Sequence, residues 1–534
     1  VTPFVTRDLD LDSCDIEIET DVCVIGAGPV GLTVARALAE NGRRVTILER
    51  GGATPAQPTG NDMIVFDRRS YRGATAGRAM GAGGTSALWG GQLLPVREID
   101  LPARPPIGAP AWPIIFADLE PHFATLERWL EVTAGSFDTP YSASIQHPLG
   151  GLQWNEWRPR YSKWTPFGRR NVYRAFENGM SNSVPIRLFL NAKVGNWIHR
   201  RVGGRVTVDE IQACSTGGRE LRVGAKVFVI CAGALESARL VLELGEAVGG
   251  LGDGPRRFAG RFLHDHLSVR IGKIDIADRS AFQTLFAPVF AGATMRSLRM
   301  ELDGQYMADA ELPALYAHFV AEADPGSAFA VLRDALRGMQ KGALMQSLVN
   351  FRRIPSALPG IAEILFERLV RRRLPFPRGA GIYLHCDIEQ APVHENRIYL
   401  GAKVPDGDRP MHIDWDVDDD VNRVGTIVQG VFRRFWQHNG LDRVARVEMF
   451  ELAQNKANML NNLYDIYHPA GTTRMSSDPE LGVVDPNLLV HGATNTFIAG
   501  SAVFPSMGAA NPTFTAMALG LRLGETINRR LKPA

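Results

Sequence analysis

The sequence predicts an α/β chain in two parts: a parallel-sheet unit and a second, mostly antiparallel-sheet unit of α+β character. Three observations carry this. An apolar run, Asp21 to Ile25, feeds into Gly26-Ala27-Gly28-Pro29-Val30-Gly31, then a helical stretch from Leu32 to Asn41 and a second strand from Val45 to Glu49. Between Leu267 and Val447 the pattern turns to apolar and polar residues in alternation. A chain of 534 residues is long enough for two domains and a large core.

The first stretch reads as strand, glycine turn, helix and strand. Gly26 suits the tight turn, Gly28 lets backbone approach a pyrophosphate, and Gly31 lets the helix pack on the strand. The helix N-terminus then faces the phosphates. Glu49 ends the second strand about 20 residues on, where a carboxylate accepts from ribose hydroxyls. This order points to a dinucleotide, and an acid at this position disfavours NADP. Residues 53–80 lack periodicity and read as a loop. They lead to Gly81-Ala82-Gly83-Gly84-Thr85-Ser86-Ala87-Leu88-Trp89-Gly90-Gly91, too rich in glycine for a regular element and suited to close ligand approach.

Residues 102–113, with five prolines, read as a linker. Asp118 to Glu131 reads as a helix with Asp118 as its cap and Leu119, Phe123, Leu126, Trp129 and Leu130 facing the core. Leu149 to Phe176 interleaves aromatics with arginines, as a loop packed on the first unit or as a wall for a stacking substrate. Arg187 to Trp197, Val206 to Ala213 and Val227 to Ala234 read as strands, the last followed by a helix from Glu236 to Leu244. In the second unit, strands are expected at Leu267–Ile276, Ala314–Ala321, Gly381–Ile388, Asn396–Leu400 and Met411–Trp415, and a helix at Val421–His438. Phe329 to Phe376 is basic and apolar, with Pro355 and Pro359 dividing two helical pieces and Arg371-Arg372-Arg373 beside Leu365, Phe366 and Leu369. Such a pattern suits an anionic membrane surface, a partner subunit, or packing on its own domain.

The C-terminal part holds Tyr467-His468-Pro469-Ala470-Gly471-Thr472, then Gly500-Ser501, then Asn511-Pro512-Thr513. A residue before proline is held extended. Pro469 and Pro512 therefore fix the backbone beside His468 and Asn511, which suits two side chains that hold one hydroxyl still.

These pieces together resemble the glucose–methanol–choline (GMC) oxidoreductases, a family of FAD enzymes. The resemblance rests on the N-terminal glycines, Gly83-Gly84-Thr85-Ser86, Gly233-Ala234-Leu235-Glu236-Ser237, Gly260-Arg261-Phe262-Leu263-His264-Asp265-His266, His468-Pro469-x-Gly471-Thr472 and Gly500-Ser501 through Asn511-Pro512-x-x-Thr515. They run in family order along nearly the whole chain. The resemblance implies a Rossmann-like FAD-binding domain from 1–110, 187–266 and 460–534. The substrate-binding domain would comprise 111–186 and 267–459, with 329–376 as an insertion. It implies FAD contacts at Gly26, Gly28, Gly31, Glu49, Gly84, Thr85, Ser86, Trp89, Val194, Ala232, Gly233, Gly500, Ser501, Pro512 and Thr513. It implies His468 as the base that takes the substrate's hydroxyl proton while flavin N5 accepts the hydride, and Asn511 as the group that orients the hydroxyl. His264 and His266 fall at a structural junction between domains, and no metal is expected. Gly471-Thr472-Thr473-Arg474-Met475 and Thr85-Ser86-x-x-Trp89 are similar to the pyranose 2-oxidases and related bacterial glycoside oxidases. Leu88 stands where covalent-flavin members have a histidine, so the FAD is expected to be non-covalent.

The formal charge of +2 gives no general attraction to nucleic acid. Five cysteines without a C-x-x-C pair argue against structural zinc and for a reducing compartment. No window reaches about 18 uninterrupted apolar residues, and residues 1–20 lack a secretory apolar core, so a cytoplasmic enzyme, or one peripheral to a membrane, is expected. The expected reaction is oxidation of a primary or secondary alcohol on a sugar, glycoside or polyol, with oxygen or an external acceptor taking the electrons. The alternatives are the same chemistry on a sterol, aryl alcohol or natural-product intermediate, a flavin-containing lyase, and an electron-transfer subunit.

Overall fold

The computed structural model describes residues 4–58, 63–139, 148–179, 185–324, 327–340, 354–403, 409–417, 420–452 and 463–532. Among them an eight-stranded sheet forms one layer. Its strands run in the order Val5–Asp8, Ile186–Leu190, Val45–Leu48, Ile16–Ile25, Glu220–Ile230, Arg205–Cys214 and Lys193–Val202, with Thr496–Ile498 also on Glu220–Ile230. The first five are parallel to their neighbours and the last two antiparallel. The near-continuous apolar run from Val22 to Ile25 is buried, as a central parallel strand requires. Helix Pro29–Ala39 follows it and packs on the long C-terminal helix Pro512–Arg530. Gly31 is required by contact: a Cβ there would meet the Gly26 carbonyl oxygen at 2.0 Å.

The second layer is a nine-stranded antiparallel sheet. From one edge its strands run Ala445–Met449, His266–Ile276, Gly381–Glu389, Leu315–Glu322, Thr294–Leu302 and Trp157–Trp164. Helix Val421–His438 backs it, burying Val424, Val428, Val431, Phe432, Phe435 and Trp436 at helical spacing. Strand Leu463–Asp465 pairs with His266–Ile276, so this sheet extends past residue 460, the boundary expected from the sequence.

Several local expectations change. Residues 53–80 are not all loop: Ile64–Phe66 pairs with Met411–Asp414 in a three-stranded sheet. Asp118 does not cap a long helix. Its side chain accepts from the Ile115 amide, and two 3₁₀ turns precede a short helix, Phe123–Trp129. Asn191, in the left-handed region at φ 54°, divides Ile186–Leu190 from Lys193–Val202 where one strand was expected. The aromatic and arginine stretch contains strand Trp157–Trp164. Arg160 pairs with Glu301 and Lys163 with Glu127, both inside the protein, and Trp154 stacks on Phe435. Of this stretch, Trp164 lines the central cavity.

Pro355 and Pro359 lie in the first two turns of helix Ile354–Leu369 and do not divide two helices. Pro355 stands where helix N–H groups lack partners anyway. The preceding helix is Ala328–Gln340, and residues 341–353 lie outside those described. Arg373 is buried and bonded to Glu367 and Thr284, so the expected arginine cluster reduces to the exposed Arg371 and Arg372.

Residues 102–113 are no free linker. Arg104 reaches into the second layer and binds Glu389 through both terminal nitrogens. Glu389 also accepts from the amides of Met507 and Gly508 at 2.8 and 2.9 Å. Burial works against its charge, yet Arg104 holds its carboxyl down at about 2. Breaking one side of such a pair leaves a buried charge. Arg104→Met is therefore expected to lower stability by about 3–5 kcal/mol, read as a lower urea midpoint at unchanged slope.

Candidate active site

One cavity of about 630 Å³ runs from the C-terminal edge of the parallel sheet to the face of the antiparallel one. Gly26, Gly28, Glu49, Gly84, Thr85, Ser86, Trp89, Val194, Ala232, Gly233, Gly500, Ser501, Pro512 and Thr513 all line it, as do His468 and Asn511. Gly31 does not; it lies behind Gly26.

At the parallel-sheet end the wall is backbone. A Cβ on Gly28 or Gly233 would meet nothing within 4 Å, so both residues face open space. Gly28 caps helix Pro29–Ala39, and Ala232 precedes helix Gly233–Ala247. Several polar side chains here are engaged with the protein itself. Glu49 accepts from the amides of Ala27, Gly51 and Gly81 at 2.8–2.9 Å. One Oε2 lone pair remains for a ligand hydroxyl. Ser86 donates to the Gly83 carbonyl and accepts from the Val172 amide; the Trp89 indole donates to the Arg170 carbonyl. Ser501 donates to the Pro469 carbonyl at 2.7 Å and so anchors the His468 loop.

His468 sits after Tyr467, a non-glycine residue at φ 69°. Its amide donates to both Asp265 carboxyl oxygens at 2.9 and 3.0 Å. The same carboxyl accepts from the His266 amide and the Tyr71 hydroxyl. Among the described residues the His468 ring meets two side chains: its Nδ1 lies 3.0 Å from His266 Nδ1, and its Nε2 lies 3.2 Å from Asn511 Nδ2. Asn511 is the residue before helix Pro512–Arg530, where Pro512 fixes it extended. His264 turns away and bonds the Phe262 carbonyl, so the two histidines flanking Asp265 do not converge.

The opposite wall was not read from the sequence. It is a row across four strands: Tyr464 is opposite Ser268, Ser268 opposite Asp387, and Asp387 opposite Tyr316. One step along, His318 is opposite His385. All six line the cavity, with Arg299. His318 Nε2 lies 3.2 Å from Asp387, and Arg299 bonds Gln92 and lies over the Tyr316 ring. The signal available was alternation: Tyr316 and His318, like His385 and Asp387, share a strand face. Reading it required the register between distant strands.

The electrostatics are those of a buried polar site. Burial, and then the neighbouring His266, push His468 down to about 3. Burial, and then His318, push His385 down to about 4; burial also lowers His318 and His266, and takes His264 to about 4. Asp387 is opposed by burial, but His318 and Arg299 hold it well below the usual carboxylate range.

A family model described as GMC oxidoreductase matches residues 392–520, and one described as FAD dependent oxidoreductase matches 21–94. The chain is 23% identical to 2-methyl-1,2-propanediol dehydrogenase of Mycolicibacterium austroafricanum, over 96% of both chains. It is 24% identical to paromamine 6′-oxidase of Streptomyces fradiae, over 97% of this chain and 92% of that one. Among solved structures, a variant of formate oxidase from Aspergillus oryzae superposes with a TM-score of 0.54 at 15% identity, covering 97% and 99% of the two chains. At that identity the likeness establishes the fold.

The histidines set an acid limit on stability. A neutral histidine with a depressed folded value binds its proton first in the unfolded chain, so stability is full above the unfolded value near 6.5 and declines as pH falls through it. Asp387 and Glu389, held low, stay ionised across this window. Burial raises Asp265, Asp465 and Glu49, which take a proton first in the fold and so act in the opposite sense. The melting temperature of the parent minus that of His385→Gln, in which those carboxyls cancel, is therefore expected to fall between about pH 7 and about pH 5. A constant difference would show that this ring is already charged in the fold.

Proposed function

Because the chain belongs to the GMC oxidoreductases and binds FAD, we propose that it oxidises an alcohol of a sugar, glycoside or polyol, with His468 as base and Asn511 as hydroxyl clamp. The observation that carries the substrate class is the polar wall of Tyr316, His318, His385, Asp387, Arg299 and Ser268 facing His468 across the cavity. Part of this row is paired within the protein, but His385 Nε2 and Asp387 Oδ1 have no hydrogen-bond partner among the described residues, and a sterol or aryl alcohol would cover them with hydrocarbon at about 1–3 kcal/mol each. A polyol carries donors and acceptors for them. One relative is named for a diol.

The residues present fit FAD. Gly28 and Gly233 face the open cleft at two helix starts, where backbone amides suit a pyrophosphate, and Glu49 keeps one acceptor for a ribose hydroxyl. Gly84, Thr85, Ser86, Trp89, Val194, Gly500, Ser501, Pro512 and Thr513 would complete the cradle. Leu88 offers no linking atom, so attachment is non-covalent. When bound, the flavin supplies the two-electron acceptor for the hydride of the carbinol carbon.

The protein's part is proton transfer and aim. His468 takes the hydroxyl proton on Nε2. Asn511 Nδ2, now on that nitrogen at 3.2 Å, is placed to donate to the substrate oxygen. The substrate leaves as the carbonyl compound. Oxygen or an external acceptor then takes the electrons.

His468→Ala is expected to keep acid-extractable FAD yet slow anaerobic flavin bleaching by about 10²–10⁴-fold. Asn511→Ala is expected to lose less, since the base remains. A panel of sugars, polyols and apolar alcohols sets the class: bleaching by apolar alcohols alone overturns the sugar reading, and parent-like bleaching by His468→Ala removes it as the base.

A peripheral contact is the second proposal, favoured by one surface feature. Leu365, Phe366 and Leu369 are 50, 51 and 73% exposed on one helix, and Val370, just after it, is 63% exposed, beside Arg371 and Arg372. No helix among the described residues is long and apolar enough to cross a membrane. An anionic lipid surface matches both the apolar and the basic groups. Co-sedimentation with phosphatidylserine vesicles is expected at low salt, weakening as salt rises, and lost on replacing Leu365, Phe366 and Leu369 by Ser. Absence of binding at low salt excludes the lipid contact.

A further inference from the structure

We infer that His266 is a positioning residue for the proposed base: through its Nδ1 it holds His468 in the one tautomer that leaves Nε2 bare towards the cavity. The inference rests on His468 acting as the base.

The hydrogen-bond chain dictates this assignment. His266 Nε2 lies 2.7 Å from the Gly508 carbonyl oxygen. A carbonyl only accepts, so this nitrogen carries the proton. His266 is fully buried and neutral, so its Nδ1 is bare. That bare nitrogen is 3.0 Å from His468 Nδ1, which must therefore be the donor. His468 is neutral too, so its Nε2 carries no proton. This is the nitrogen that Asn511 Nδ2 approaches at 3.2 Å. The opposite arrangement would set a lone pair of the buried His266 ring against the Gly508 carbonyl oxygen at 2.7 Å.

The far end of the chain is rigid. Gly508 adopts φ 65°, and a Cβ there would meet the Asp100 carboxyl at 2.5 Å. Its amide donates to Glu389. The near ends are tied together as well, because the amides of His266 and His468 share the Asp265 carboxyl. Which ring nitrogen of a histidine is protonated is set by what the other nitrogen meets. After His468 takes a proton on Nε2, its Nδ1–H still donates to His266, and a charged donor makes that bond stronger. His266 thus fixes the tautomer before the transfer and steadies the cation after it. It does not itself touch the substrate.

Two substitutions separate positioning from packing. An asparagine amide reaches where His266 Nδ1 stands; a glutamine amide reaches where Nε2 stands. His266→Asn keeps an acceptor for His468, and His266→Gln keeps only the bond to Gly508. Ring-¹⁵N-histidine labelling of the holoenzyme, with His468 assigned by its loss in His468→Asn, reads the tautomer without substrate. The parent is expected to show a protonated Nδ1 and a bare Nε2 at His468. His266→Gln is expected to move the proton towards Nε2 and to slow flavin bleaching, by the panel's fastest alcohol, by about 10–100-fold, the loss of one hydrogen bond to a charged group. His266→Asn is expected to retain the parent tautomer and most of the rate. A parent proton on Nε2 overturns the inference even if neither variant folds. So do a parent-like tautomer and rate in His266→Gln, or equal losses in both variants with FAD retained. A dead His468→Ala beside a parent-like His266→Gln would leave the base standing and remove only the positioning role.

Discussion

The site depends on one buried carboxyl. Asp265 lies immediately before strand His266–Ile276, and its two oxygens take the amides of His266 and His468 and the hydroxyl of Tyr71. These donors come from three separate parts of the chain. The sheet that forms the substrate wall and the loop that carries His468 are thereby bolted to the same group. Ser501 does the corresponding work from the other side, by holding the Pro469 carbonyl. His468 therefore reaches the cavity on a backbone fixed at both its amide and the following carbonyl, which explains how Tyr467 is kept at a positive φ.

The chemistry of the site is one of neutral imidazoles beside a single paired charge. Burial leaves the histidines neutral, while Asp387 stays ionised beside Arg299. A neutral His468 is always in its base form near neutral pH, which suits a proton acceptor. For the proposed base, low affinity for a proton would be a cost to the forward step, and the bond from Nδ1 to His266 would offset part of it as the cation formed.

Much of this was legible in the sequence because it was local. The glycine turn, the helix after it and Glu49 lie within one strand–helix–strand unit, and two prolines mark His468 and Asn511. Glu49 shows where local reading stops. Its position implied a ribose contact, but three of its bonds go to Ala27, Gly51 and Gly81. Arg104 looked like part of a proline-rich connection and is half of a buried ion pair with a residue 285 positions away. His266 read as part of a junction, and its ring contact with a residue 202 positions on is set by folding alone.

The substrate wall makes the same point in terms of register. Ser268, Asp387 and Tyr316 are unremarkable in isolation, and each strand shows only ordinary alternation. They become one polar row because His266–Ile276, Gly381–Glu389 and Leu315–Glu322 pair in the register that sets them directly opposite one another. A slip of one residue in any of these strands would turn its polar side chains to the far face and bring apolar ones to the cavity. The apolar far face, packed on helix Val421–His438, is what fixes the register. Selectivity at the proposed substrate wall would therefore rest on core packing behind it, whereas the proposed base and its partner Asn511 rest on two short loops. The two properties can vary independently in such a fold, since a side chain in the polar row can change without moving His468, Asn511 or the carboxyl that anchors them.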